Sequence, residues 1–72
     1  MTKRKDLIST IAAAARSAGI SWVIAREGGR HTVYELDGLM IPIPRHAEIN
    51  ELTTRGIYKQ CSDKLGKDWW RR

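Results

Sequence analysis

The Asp37-Gly38 dipeptide is the feature that most restricts what this chain can fold into. It separates two short runs, His31 to Leu36 and Leu39 to Ile43, in which β-branched, aromatic and other apolar residues are frequent. Asp-Gly between such runs is a strong signal for a two-residue hairpin turn. The sequence therefore predicts an antiparallel hairpin whose register is set by this turn.

The predicted register also decides which side chains share a face, because successive residues of a strand point to opposite sides of the sheet. One face is apolar and is expected to carry the helices; it pairs Leu36 with Leu39, Tyr34 with Ile41, and Thr32 with Ile43. The opposite, open face is expected to hold His31, Val33, Glu35, Met40 and Pro42. Prolines at 42 and 44 limit pairing on the last strand and mark it as a sheet edge.

The residues before the hairpin predict a helix and another strand. Apolar residues recur at helical spacing from about Lys5 to Ala18, and Gly19 follows where a left-handed cap would end the helix. A strand is predicted from Ser21 to Arg26, with Gly28-Gly29 as the next turn. A two-residue loop at these glycines would set Arg26 opposite His31, with Ile24 and Trp22 on the same open face. A three-residue loop would shift the strand by one position and remove that pairing.

The last third of the chain predicts an irregular segment over residues 45–50 and a second helix. Either Asn50 or Thr53 is a suitable N-cap, and Gly66 ends the helix. The tail, residues 66–72, contains Trp69-Trp70 and is expected to pack on the domain, since large aromatic side chains are mainly core material. Stacking of a tryptophan on a nucleic-acid base is the alternative.

These elements predict one domain over residues 1–72. Its class is α+β, in the order α-β-β-β-α, with a three-stranded antiparallel sheet and both helices on one face. That order resembles the double-stranded RNA-binding fold, although a fold alone does not define a function.

Composition favours a polyanionic partner. Thirteen Lys and Arg against eight Asp and Glu give a net charge of +5, and a basic surface attracts phosphate backbones with little sequence preference. The alternative is that the basic composition is unrelated to any nucleic-acid partner.

The single cysteine, Cys61, excludes a disulfide framework and a cysteine-based zinc site, and its helical spacing predicts a buried thiol. The sequence contains neither a recognisable signal peptide nor a stretch able to span a bilayer, so a cytoplasmic location without membrane contact is expected.

The segment Gly28-Gly29-Arg30-His31 carries the most reactive candidate. Histidine exchanges a proton near neutral pH, and here it follows a glycine turn close to arginines. His31 is therefore a candidate general acid or base, with Arg26, Arg30 and Arg45 as candidates for RNA binding and charge stabilisation. The alternative is that His31 is a surface residue of the strand with no catalytic role. His46 has three open interpretations: a surface residue, a loop-fixing hydrogen bond, or a second histidine of the site.

Three stretches resemble the HicA-type toxins of bacterial toxin–antitoxin pairs. Residues 28–34 are similar to the family's glycine turn, histidine and aromatic three residues later. Ile43-Pro44 with His46 is similar to its closing edge strand, and residues 48–60 to its Thr-x-Arg-x-Ile-x-Lys-Gln helix. The chain departs from the family at residues 30–32, where members often have Ser-His-His, and at residues 50–53, where they have Pro-Lys-Gly-Thr.

The resemblance implies a small, monomeric ribonuclease that cleaves messenger RNA without a metal or cofactor and is neutralised by a HicB-like antitoxin. It assigns the catalytic role to His31. The open sheet face, with Trp22, Ile24, Val33 and Met40 expected around His31, is apolar enough to predict that the antitoxin covers it. Two rival functions are a non-catalytic RNA-binding module and a degenerate toxin that only binds its antitoxin. The first is disfavoured because residues 50–53 lack the lysine cluster that double-stranded RNA binders carry there.

Overall fold

A computed structural model describes residues 1–71, which form two helices and five strands. The elements are β1 (Thr2–Lys3), α1 (Arg4–Ala18), β2 (Trp22–Glu27), β3 (His31–Leu36), β4 (Leu39–Pro44), β5 (Glu48–Ile49) and α2 (Glu51–Leu65). Strands β2, β3 and β4 form an antiparallel sheet in that order, and the helices pack against each other and on this sheet. The predicted α-β-β-β-α order and three-stranded antiparallel sheet are confirmed.

The hairpin of β3 and β4 has the predicted register. Asp37 and Gly38 have φ values of 50° and 89°, so both turn residues adopt the left-handed conformation that a tight hairpin requires. Leu36 pairs with Leu39, and the register continues without interruption to His31 opposite Pro44. Leu36, Ile41 and Ile43 are fully buried, which confirms that this face carries the helices.

The predicted turn between β2 and β3 is wrong by one residue. The Gly28 amide donates to the His31 carbonyl at 3.0 Å, so the tight turn is formed by Gly29 and Arg30 rather than by the two glycines. Arg26 consequently lies opposite Val33 and not opposite His31. The glycine pair fits either turn position, and neither glycine adopts a positive φ that would have selected one.

A bulge in β2 between Ile24 and Arg26 changes the faces further along the strand. Such a bulge inserts one extra residue and so exchanges the sides on which the following side chains lie. Trp22 pairs with Leu36 and stacks on Tyr34, with ring centroids 4.5 Å apart. Ile24 pairs with Tyr34. The prediction that Trp22 and Ile24 lie on the open face is therefore wrong.

Residues 45–50 are more ordered than predicted, because they include β5. Thr2 pairs with Ile49 and Lys3 with Glu48 in a two-stranded antiparallel ribbon. Strands of two residues carry no alternation that a sequence pattern could reveal. The ribbon brings the start of the chain beside the segment that follows β4.

Both helices have ordered ends. Gly19, with φ of 73°, follows α1 as predicted, and the Ile20 amide donates to the Ala15 carbonyl at 3.0 Å. Asn50 is the N-cap of α2, and its side chain accepts from the Thr53 amide at 2.8 Å. Neither helix in the described part of the chain has the length and apolar character needed to cross a bilayer.

The core lies between the helices and the sheet. It contains the buried residues Leu7, Ile11, Ala15, Leu36, Ile41, Ile43, Ile49, Ile57 and Cys61. Burial raises the pKa of the Cys61 thiol to about 12, which disfavours the thiolate form that nucleophilic chemistry requires. In the tail, the Trp69 indole donates to the Tyr58 carbonyl at 2.8 Å and packs against this core.

Gly56 offers a simple test of how the second helix is stabilised. It lies inside α2, is exposed, and a Cβ added there would meet no atom within 4 Å. We expect Gly56→Ala to raise the free energy of unfolding by about 1 kcal/mol, because alanine removes the helix-propensity penalty of glycine. The corresponding rise in Tm is about 4–8 °C for a domain of this size. Thermal unfolding measured by circular dichroism checks this, and an unchanged or lower Tm contradicts it.

Candidate active site

His31 is the first residue of β3 and is exposed to solvent. Its neighbour Thr32 is buried, with 3% relative exposure, and lies on the face that carries the helices. Because strand residues alternate, His31 falls on the open face together with Val33. The imidazole is thus available to a ligand that approaches the sheet from the side away from the helices.

Two further candidate residues lie at the same end of the sheet. Arg45 and His46 follow directly after β4, whose last residue is paired with His31. The Arg45 amide donates to the Arg30 carbonyl at 3.3 Å. Arg30, Arg45 and His46 together line an open depression of about 350 Å³. We refer to these three residues as the basic cluster. Their separation in the sequence did not indicate that they would line one depression.

One residue of the basic cluster forms an ion pair with β2. One Nη of Arg45 lies 3.0 Å from a carboxylate oxygen of Glu27, and both side chains are exposed. An exposed pair of this kind contributes little to stability, but it ties the segment after β4 to the turn that precedes His31. Arg30 makes no ion pair with any side chain in residues 1–71, so its guanidinium remains available to an anion.

Arg26 belongs to a different part of the open face. It lines a shallow groove of about 490 Å³ together with Ala25, Val33, Met40 and Pro42. We refer to these five residues as the sheet-face groove. Since Arg26 pairs with Val33, it is diagonal to His31 rather than directly across from it, and the predicted His31–Arg26 pair is absent.

Arg4 is a structural residue of the site that the sequence analysis did not single out. Its Nε donates to the Pro44 carbonyl at 2.8 Å, and one Nη donates to the Thr32 hydroxyl at 3.1 Å. These bonds connect the start of α1 to β3, which contains His31, and to β4, which pairs with it. In the sequence, Arg4 stands within Lys3-Arg4-Lys5 and is indistinguishable from a solvated surface charge.

This end of the sheet carries groups suited to a phosphate ester. Exposed guanidinium groups bind and stabilise anionic oxygens, and an exposed imidazole can give or take a proton. Within residues 1–71, no group of three or more His, Cys, Asp or Glu side chains is arranged to hold a metal ion.

Comparisons with protein-family models, with curated proteins and with solved structures found no match to this chain. The likeness to HicA-type toxins rests on the three sequence stretches described above.

Proposed function

We propose that this protein is the toxin of a toxin–antitoxin pair, a metal-independent endoribonuclease that cleaves messenger RNA in the cytoplasm. The observation that carries the proposal is the position of His31. This exposed imidazole lies at the end of the sheet where Arg30, Arg45 and His46 line a common depression, although His31 itself is not among the residues that line it. The motifs shared with HicA-type toxins include His31 and agree with that role.

The proposed reaction uses a nucleophile that RNA itself provides. The 2′-oxygen attacks the adjacent phosphorus, the bond to the 5′-oxygen breaks, and the products carry a 2′,3′-cyclic phosphate and a 5′-hydroxyl. One proton leaves the 2′-hydroxyl and one is delivered to the departing 5′-oxygen. His31 carries out one of these transfers. Arg30, and Arg45 once it leaves its exposed ion pair with Glu27, stabilise the negative charge that develops on the non-bridging phosphate oxygens.

His46 is the candidate for the second proton transfer. A single imidazole must change its protonation state between the two transfers, whereas two imidazoles can act in the same step. His46 shares the depression with Arg30 and Arg45, two residues beyond the β4 residue that pairs with His31. The shared depression with two guanidinium groups supports His46 as this second candidate.

The direct test is to incubate the purified protein with a messenger RNA in the presence of EDTA. Cleavage that leaves 2′,3′-cyclic phosphate ends is expected, together with resistance of a substrate that has 2′-deoxy residues throughout. Binding without cleavage would instead make the protein an RNA-binding module. If it neither binds nor cleaves RNA, the interpretation as a degenerate toxin is favoured.

The open face also supports an antitoxin partner. Val23 and Met40 are 53% and 52% exposed, and the sheet-face groove adds Ala25, Val33 and Pro42. Val33, Met40 and Pro42 lie on this face as predicted, whereas Val23 and Ala25 take the place of Trp22 and Ile24, so the face is still apolar. A HicB-like antitoxin that covers it would bury this surface and screen His31 at the same time.

A photo-crosslinking experiment tests the position of the antitoxin. We expect a benzoylphenylalanine placed at Met40 to crosslink to the antitoxin encoded by the adjacent reading frame. The same group placed at Leu52, which is 83% exposed on α2, is the matched control and is expected to give no crosslink. Crosslinks from position 52 alone would show that the partner binds the helix side and would refute this arrangement.

A further inference from the structure

A second depression also borders the segment that follows β4. It has a volume of about 440 Å³ and is open to solvent. The ribbon of β1 and β5 forms one wall, and the first turn of α1 forms another. We call it the N-terminal groove; it is lined by Lys3, Arg4, Lys5, Arg45, Ala47 and Glu48.

The lining is strongly basic. Four of its six residues are cationic and one, Glu48, is anionic. The guanidinium of Arg4 is hydrogen-bonded to a carbonyl and a hydroxyl, so its charge is not neutralised. Lys3 and Lys5 are exposed, and neither forms an ion pair with a carboxylate in residues 1–71. Like charges held this close repel one another, and a bound anion relieves that repulsion.

Arg45 joins this groove to the candidate active site. It lines both the N-terminal groove and the depression with Arg30 and His46. The cationic side chains therefore line two adjoining depressions, from Lys3 and Lys5, through Arg45 with its exposed ion pair to Glu27, to Arg30, which precedes His31 in the chain. A single phosphate ion would contact one of these depressions, whereas a polynucleotide places successive phosphates along both.

We propose that the N-terminal groove binds the sugar-phosphate backbone of an RNA strand adjacent to the bond that is cleaved. The inference rests on the proposed function, because it treats the strand as the substrate of His31. Lys3 and Lys5 contact phosphate oxygens, and Arg45 contacts the strand between the groove and the site. The groove contributes affinity without sequence preference, since its charged groups recognise phosphate rather than base edges.

The test measures binding of a 2′-O-methyl oligonucleotide, which lacks the 2′-hydroxyl nucleophile and so cannot be cleaved by the proposed reaction. The variant is Lys3→Gln with Lys5→Gln. The control, Lys59→Gln with Lys67→Gln, has the same net charge and alters exposed lysines outside the groove. Fluorescence anisotropy at several salt concentrations gives Kd and its salt dependence. Circular dichroism establishes that both variants are folded, and Lys5→Gln alone leaves the residues of the β1–β5 ribbon unchanged.

Each phosphate contact on a single strand contributes about 0.7 to the slope of log K against log salt. Loss of two contacts should therefore lower the slope by about 1.4 and weaken binding about 25-fold at 0.1 M salt. Lys5→Gln should give about half of the slope change, and the control should bind as the parent does. A DNA strand of the same sequence should show the same loss, because the groove contacts phosphates.

The outcomes separate this inference from the proposed function. Equal losses of oligonucleotide affinity in the groove variant and the control would refute RNA binding by the groove. A parent protein that binds no oligonucleotide would refute it as well. If the parent cleaves RNA but the groove variant binds the oligonucleotide as the control does, the nuclease proposal is supported and RNA binding by the groove is refuted. If the groove variant alone loses affinity and the parent cleaves nothing, the groove stands as a strand-binding surface and the nuclease proposal fails.

Discussion

Replacing His31 with alanine should slow RNA cleavage in EDTA by about 10²- to 10⁴-fold, the usual contribution of one proton-transfer group. The affinity for a non-cleavable oligonucleotide should change little, because the guanidinium groups of Arg30 and Arg45 remain. The folded structure should also be preserved, since His31 is exposed and surface substitutions normally change stability by less than about 0.5 kcal/mol. Single-turnover cleavage of an end-labelled RNA provides the measurement.

The variant also controls for contamination. A co-purifying ribonuclease would act equally in preparations of the parent and of His31→Ala, so equal rates in EDTA would remove His31 from the mechanism. His46→Ala provides the comparison that defines the second proton transfer. A loss similar to that of His31→Ala, with RNA affinity retained, supports a two-histidine mechanism. A parental rate would assign both transfers to His31 or to water.

The hairpin of β3 and β4 could be predicted because its determinants are local. Asp37 and Gly38 both adopt positive φ, a requirement that few residue pairs meet without strain. Once that turn is fixed, alternation places every residue of both strands on one face or the other. The exposed position of His31 follows from these two local facts alone.

The position of β2 could not be predicted in the same way. Gly28 and Gly29 both have negative or extended backbone angles, so neither is required at a particular place in the turn. The bulge between Ile24 and Arg26 has no signature in the run from Trp22 to Glu27. A shift in the turn together with a bulge moved Arg26 away from His31 and turned Trp22 toward the helices.

The role of Arg4 depends on contacts that span most of the chain. Its hydrogen-bond partners Thr32 and Pro44 are 28 and 40 residues away, and its amide donates to the Ala47 carbonyl at 2.8 Å. These contacts require the β1–β5 ribbon, which no periodicity indicates. A run of three basic residues therefore divides into two exposed lysines and one partly buried arginine between them.

The Arg4 contacts predict a large loss of stability for Arg4→Met. Hydrogen bonds that involve a charged group contribute about 1.5–3 kcal/mol each, and the Thr32 hydroxyl, which is 3% exposed, would lose its donor. We expect the free energy of unfolding to fall by about 3 kcal/mol, out of about 4–10 kcal/mol for a domain of this length. The corresponding drop in Tm is about 12–24 °C.

Lys5→Met is the matched control, because it removes one charge from the adjacent, exposed position and should leave Tm within a few degrees of the parent. Arg4→Lys should recover part of the loss, since an ammonium can reach one acceptor but lacks the planar geometry that serves both. Hydrogen exchange in the folded Arg4→Met protein should increase first at the ends of β3 and β4, where Thr32 and Pro44 flank His31. Equal destabilisation by Arg4→Met and Lys5→Met would mean that charge alone matters at this end of the molecule, and that the two hydrogen bonds do not hold the strands that present the imidazole.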